Sequence, residues 1–280
     1  MDGEQPKLSD QTALWSGAGG RGWVALQELI DQVFQPLEDL LVDAVSSETT
    51  SRVLDVGCGT GSTTVAVARR LGAKGSCTGI DISEPMIAAA RDRAERAGAS
   101  VSFIVADAES YPLEGASFNA IISRFGVMFF TDSIAAFTNL RRAARAGAML
   151  RLVVWRSAAE NPFMTTAERA AAPLLPDLPA RRPDEPGQFA FADRNRVRRI
   201  LEESGWSELD IRPFDVPCVL PENALVGYLT QLGPVGRILQ QADDELRARV
   251  VAAVRPAFDP YVHGTEVRFT AACWMVGARA

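Results

Sequence analysis

The chain has 280 residues, a formal net charge of −6 and 47% hydrophobic residues. These values are typical of a globular protein and exclude disordered, collagen-like and coiled-coil chains. The acidic balance predicts no nucleic-acid partner, because affinity for a phosphate backbone comes largely from clustered Lys and Arg. The sequence contains no apolar run long enough to predict a membrane span, and its polar first residues predict no targeting peptide. Four widely spaced cysteines predict no disulfide framework or metal site, and they favour a cytoplasmic location.

Residues 1–47 predict an N-terminal helical cap. A polar tail and a glycine turn at 17–22 come first. Apolar residues at helical spacing follow from Trp23 to Phe34, and Pro36 is expected to bend or divide that helix.

Residues 48–156 alternate short apolar strands with amphipathic helices. Strands are predicted at 52–56, 76–80, 101–105, 118–123 and 149–155. Helices are predicted between them, ending at Gly72, Gly98 and Gly147. Near-continuous apolar strands separated by helices indicate a doubly wound parallel sheet covered on both faces.

Beyond residue 156 the alternation is less regular. The Ala- and Pro-rich segment 157–192 is interpreted as a lid insertion. Residues 193–280 add a helix, a sixth strand at 207–214 and a last strand at 266–276. A second helical lid insertion is expected at about 215–264.

The chemistry is concentrated where the predicted strands end. Gly57-x-Gly59-x-Gly61 follows the first strand. Such a loop lets a ligand approach bare backbone, and the next helix offers free N–H groups to an anion. Asp55 lies inside the first strand, where a carboxylate must be hydrogen-bonded. Asp81 and Asp107 end the next two strands, and Asp81 is placed to accept two ribose hydroxyls. A tight turn for the glycines and a helix cap for either aspartate are the alternatives.

Four segments of this core carry a family resemblance. They are Val53-Leu-Asp-Val-Gly-Cys-Gly-Thr-Gly61, Gly79-Ile-Asp-Ile82 and Val105-Ala-Asp-Ala108, followed by the strand 118–123. Over residues 48–156 the chain resembles class I S-adenosylmethionine (SAM)-dependent methyltransferases, in particular the small-molecule branch that includes ubiquinone and menaquinone biosynthesis. The family's usual Pro-Gly before strand five is Ala146-Gly147 here, a change confined to a turn.

The resemblance implies SAM as the cofactor, S-adenosylhomocysteine as its product and no metal. The backbone at Gly57 and Gly59 would lie alongside the methionine moiety of SAM, and Asp55 and Cys58 belong to the same binding segment. Cys58 would have no catalytic role.

At the nucleoside end of the cofactor, the resemblance implies that Asp81 and Ile82 bind the ribose. It also implies that Asp107 binds the adenine amino group beside the backbone N–H of Ala108.

Ser123 and Arg124, which end strand four, would lie beside the methionine and the substrate by the same resemblance. The implied fold is α/β: a doubly wound, mostly parallel seven-stranded sheet with helices on both faces and a helical lid. Its last strand would be antiparallel and lie between strands five and six.

That topology brings both lid insertions over the cofactor crevice, and we interpret them, with the segment 15–23, as a lid; helices packed away from the site are the alternative. We therefore expect an enclosed acceptor. The candidate acceptor contacts are Trp15, Trp23, Phe125, Met128 and Trp155, and core packing is the alternative for each. His263, the only histidine, precedes the last strand and is a candidate general base; an exposed loop histidine is the alternative.

The sequence thus predicts in-line methyl transfer from SAM to a small apolar or aromatic acceptor. A noncatalytic SAM-binding or regulatory protein is the first alternative. An NAD-dependent oxidoreductase is disfavoured, because Ser62 stands where its G-x-G-x-x-G fingerprint has the third glycine.

Overall fold

The computed structural model describes residues 10–45, 51–182 and 185–280. The expected boundary between an N-terminal cap and the core, at 47/48, lies outside these residues. Helices α1–α11 are Asp10–Ser16, Ala18–Ala25, Gln27–Ala44, Ser62–Leu71, Glu84–Arg96, Ser133–Ala143, Pro162–Ala171, Arg194–Glu203, Leu225–Gln231, Gly233–Leu239 and Asp244–Val254. Strands β1–β8 are Ser51–Val56, Gly75–Asp81, Ser102–Val105, Phe118–Arg124, Ala144–Trp155, Ser207–Pro221, Val262–His263 and Glu266–Arg279. Within the described residues, no helix is long and apolar enough to cross a membrane.

The strands form one mixed sheet in the order β3-β2-β1-β4-β5-β8-β6, and the two-residue β7 pairs with β8. Neighbours from β3 to β5 are parallel. β8 runs antiparallel to both β5 and β6. The expected doubly wound sheet, with an antiparallel strand between the fifth and sixth, is confirmed.

The central strands are apolar because both of their faces are covered. Val53, Leu54, Ile121 and Ile122 are buried in the main core. Side chains that accept hydrogen bonds from free backbone N–H groups start two of the flanking helices: Ser83 caps α5 and Asp132 caps α6.

Several element boundaries differ from the sequence prediction. Helix α6 ends at Ala143 rather than Gly147, because the chain enters β5 at Ala144. β6 continues to Pro221, seven residues beyond the predicted end, because β8 pairs with it along its whole length. In α3 the helix bends at Phe34, two residues before Pro36, as expected for a ring that displaces the preceding turn.

The predicted glycine turn at 17–22 is wrong: residues 18–25 form helix α2. Its glycines allow close packing. A Cβ at Gly22 would overlap the carbonyl oxygen of Gln231, at the end of α9. The side-chain amide of Gln240 joins the same segments, donating to the carbonyls of Ala18 and Gln231 at 3.0 and 3.1 Å.

We expect Gly22→Ala to lower the free energy of unfolding by about 1–3 kcal/mol, because its methyl group would overlap a backbone carbonyl fixed by its own helix. Gly227→Ala on α9 is the matched control, since a Cβ there meets nothing within 4 Å. Alanine also favours a helix over glycine. Urea denaturation compares the two variants; equal stabilities would contradict the close-packing account.

Candidate functional site

The loop between β1 and α4 has a backbone that requires glycine. Gly57, Gly59 and Gly61 have φ of +65°, +54° and +79°, a region that other residues rarely adopt. A Cβ at Gly57 would lie 2.5 Å from the Cα of Gly126, in the turn after β4. The N–H of Gly57 also donates to the carbonyl of Ile80 at 2.8 Å. Two neighbouring strands thus fix this loop.

Asp55 connects β1, which leads into this loop, to helix α4, which follows it. Its carboxylate is buried and accepts a hydrogen bond from the Thr64 hydroxyl of α4 at 2.7 Å. Burial raises the pKa of Asp55 to about 6, against the opposing effects of Thr64 and Arg124. The side chain therefore ties β1 to α4 beneath the glycines.

Asp81, at the end of β2, reaches across to the glycine loop. One carboxylate oxygen accepts the N–H of Gly59 and the other the N–H of Ser83, both at 2.9 Å. Burial raises the pKa of Asp81 above its ordinary value. Each carboxylate oxygen has lone pairs left for further donors.

The turn after β3 brings Asp107 and Ala108 beside Asp81. The Asp107 carboxylate accepts the N–H of Glu109 at 2.9 Å. The carbonyl of Ala108 accepts the side-chain amide of Asn139 at 3.0 Å, which holds the turn in place. The three strand ends carry Asp55, Asp81 and Asp107 to one side of a single cavity.

This cavity has a volume of about 420 Å³ and lies between the glycine loop and the helices that cover it. Nine of the ten predicted cofactor residues line it: Asp55, Gly57, Cys58, Gly59, Asp81, Ile82, Asp107, Ala108 and Arg124. Burial and nearby Asp81 raise the pKa of the Cys58 thiol, so this group stays protonated.

Ser123 is the tenth, and it does not line the cavity. Its buried hydroxyl donates to the carbonyl of Val56 at 2.6 Å and accepts the N–H of Gly126 at 3.1 Å. Because successive strand residues point to opposite faces, Arg124 reaches the cavity while Ser123 supports the glycine loop behind it.

All five predicted acceptor residues line the cavity, four of them with aromatic rings. Trp15 contacts Trp23 and Phe129 edge-on, with ring centroids 6.3 and 4.9 Å away. Phe125 stacks on Trp155 at 4.4 Å and is held at φ +65°, while Met128 is buried behind them. The wall is therefore aromatic, with the two tryptophans half-buried and the deeper rings buried.

The structure also shows an ionic cluster that the sequence analysis missed. Arg124 faces Asp31 at 3.6 Å and Glu38 at 3.8 Å, and Asp31 also pairs with Arg93 at 2.6 Å. One terminal nitrogen of Arg124, Nη1, is buried without a hydrogen-bond partner. A signal was present in α3, because Asp31 and Glu38 lie on the same helical face as the buried Phe34.

His263 lies away from the cavity. It is exposed, and it pairs with Glu266 in the hairpin of β7 and β8. Trp155, at the cavity, pairs with Cys273, so seven residues of extended strand, roughly 24 Å, separate the two positions. The placement of His263 does not support a general base here.

Comparisons with known proteins agree with this geometry. Residues 53–147 match the family described as a methyltransferase domain. Over 172 residues the chain is 26% identical to demethylmenaquinone methyltransferase of Staphylococcus haemolyticus, covering 59% of this chain and 72% of the relative. Over 106 residues it is 37% identical to aklanonic acid methyltransferase DauC of Streptomyces sp. strain C5, covering 38% of this chain and 48% of that protein.

A solved structure extends the likeness to the fold. Phosphoethanolamine N-methyltransferase 2 of Haemonchus contortus, in complex with S-adenosyl-L-methionine, matches with a TM-score of 0.59 at 15% identity, over 96% of this chain and 59% of that one. The segment 53–147 is thus a methyltransferase domain, and the chain is similar in sequence to methyltransferases of small molecules and in fold to a SAM-bound methyltransferase.

Proposed function

We propose that this chain transfers the methyl group of SAM to a small aromatic acceptor enclosed with it in one cavity. The observation that carries the proposal is the continuity of that cavity, which joins the glycine loop and rim aspartates to the tryptophan-lined wall. Relatives named for a menaquinone precursor and for aklanonic acid are consistent with an acceptor of this kind.

The residues on the loop side fit the cofactor. The backbone at Gly59 faces free space, since an added Cβ would meet only the flexible end of Met86. Half-buried Asp81 and Asp107 offer carboxylate oxygens to ribose hydroxyls and to the adenine amino group. Nη1 of Arg124 makes no hydrogen bond with the described residues, although it lies 3.8 Å from Glu38, so it has a proton to donate to the carboxylate of a methionine moiety. When bound, SAM supplies a sulfonium whose methyl carbon is electrophilic.

This chain's own contribution is orientation and exclusion of water. Trp15, Trp23 and Phe129 cover the acceptor side with rings that favour stacking on another aromatic surface. Holding two reactants in line contributes up to about 7–11 kcal/mol of barrier reduction. No histidine lines the cavity among the described residues, so we propose that proximity, rather than a histidine base, drives the reaction.

The direct test incubates the protein with methyl-labelled SAM and a panel of aromatic acceptors. S-adenosylhomocysteine release and a labelled product are measured together. SAM binding without turnover for any acceptor would favour the noncatalytic alternative.

Asp81→Ala is expected to weaken SAM binding by about 1.5–3 kcal/mol, because hydrogen bonds to a charged acceptor are lost. Calorimetric titration with SAM measures the change. Asp92→Ala is the matched control, since Asp92 is an exposed carboxylate on neighbouring α5, outside the cavity. Equal affinities in the two folded variants would remove Asp81 from the cofactor site.

Gly59→Val is expected to abolish SAM binding in a folded protein, because the side chain would occupy the space that the methionine moiety needs. Backbone strain is controlled by Gly72→Val, where φ is +56° and nothing lies within 4 Å. Thermal denaturation and SAM titration are measured for both. Normal SAM affinity in folded Gly59→Val would show that the loop is only a structural turn.

His263→Ala is expected to leave kcat within about twofold of the unmodified protein, roughly 0.4 kcal/mol in the barrier, since the exposed imidazole is remote from the cavity. Steady-state kinetics on both proteins checks this result. A hundredfold loss with intact SAM binding and stability would instead make His263 the base.

A further inference from the structure

The lid side of the cavity contains a cation that has no ion-pair partner within residues 10–45, 51–182 and 185–280. Four arginines line the cavity: Arg124, Arg181, Arg182 and Arg237. The first three each face a carboxylate within 4.0 Å. Arg237, on α10, has no ion pair or hydrogen bond with any residue that the structure describes.

Arg237 lies in surroundings where an unpaired charge is costly. It is half-buried, and apolar Leu232 and Val235 of the same lid segment line the cavity with it. Burial lowers the pKa of its guanidinium, and nearby Arg181 lowers it further against the opposing effect of Glu168. A guanidinium keeps its charge in proteins, so an anion entering the cavity would relieve this unfavourable electrostatic energy.

The neighbouring charges determine what kind of anion fits. Glu168 neutralises Arg181, whose Nε lies 2.7 Å from a carboxylate oxygen. Arg182 pairs with Glu185 at 2.8 Å. Counting only the residues that the structure describes, the lid side has one positive charge in excess, which balances a monoanion such as a carboxylate and leaves a phosphate dianion under-compensated. The planar guanidinium also matches a carboxylate in two parallel hydrogen bonds.

We propose that the acceptor is an aromatic carboxylic acid whose carboxylate binds the guanidinium of Arg237. This inference rests on the proposed function, and it assigns Arg237 a specificity-determining role. The acceptor's rings lie against Trp15 and Trp23, and Arg237 selects acids over neutral analogues of the same shape.

The test uses matched probe pairs in the presence of saturating S-adenosylhomocysteine: 2-naphthoate with 2-naphthamide, and anthraquinone-2-carboxylate with its amide. Calorimetric titration gives each Kd. We expect the unmodified protein to bind at least one carboxylate about tenfold or more tightly than its amide, and added salt to reduce the difference. In Arg237→Gln the pair should bind within about twofold of each other, with the amide affinity unchanged.

Arg182→Gln is the matched control, because this arginine also lines the cavity but is already paired, and its variant should keep the preference for the carboxylate. Arg237→Lys keeps the charge and should keep part of the preference, so a misfolded Arg237→Gln leaves the proposal testable. A preference retained in folded Arg237→Gln would overturn it, as would the absence of any preference, or of any probe binding, in the unmodified protein. The affinity for SAM is measured on the same samples. A protein that does not bind SAM would refute the proposed function. The preference for the carboxylate is a binding measurement, so it does not depend on turnover.

Discussion

The close approach of two backbone turns is the constraint on which the rest of the site depends. Gly57 and Gly126 meet where β1 and β4 end, and a Cβ on Gly57 would lie 2.5 Å from the neighbouring Cα. The contact fixes the loop in its left-handed conformation. Its N–H groups then face Asp81 and the carbonyl of Ile80. Buried Asp55 and half-buried Asp81 thus both hold the glycine loop in place, through hydrogen bonds to Thr64 and to the N–H of Gly59.

The lid of the cavity combines segments that lie far apart in the chain. Trp15 and Trp23 come from the first helices, while Tyr228 and Arg237 come from helices inserted between β6 and β8. Helix α2 carries glycines that let its backbone meet Gln231, and the Ser83 hydroxyl beside Asp81 donates to the carbonyl of Trp15 at 2.6 Å. The wall facing the acceptor is therefore connected to the wall facing the cofactor by a direct hydrogen bond.

Charged side chains lie both beside the glycine loop and on the lid of the cavity. On the loop side, Arg124 balances Asp31 and Glu38, although its separations of 3.6 and 3.8 Å leave room for a closer partner. On the lid side, Arg237 has no balancing carboxylate among residues 10–45, 51–182 and 185–280. Because unpaired charge is costly in apolar surroundings, the carboxylate of the proposed acceptor would stabilise Arg237, whereas at Arg124 the proposed methionine carboxylate would add to contacts that Asp31 and Glu38 already make.

By itself, the sequence determined the parallel core, the glycine loop and the positions of Asp55, Asp81 and Asp107. These features depend on local patterns, since strand ends of a parallel sheet meet at one edge. Only the tertiary structure decided that Ser123 turns behind the loop, that residues 18–25 are helical, and that a long β6–β8 pairing carries His263 away from the cavity. The partners of Arg124 could not be predicted, because contacts of this kind depend on how segments distant in the chain pack together. For the same reason, the sequence could not show that Arg237 pairs with none of the described residues.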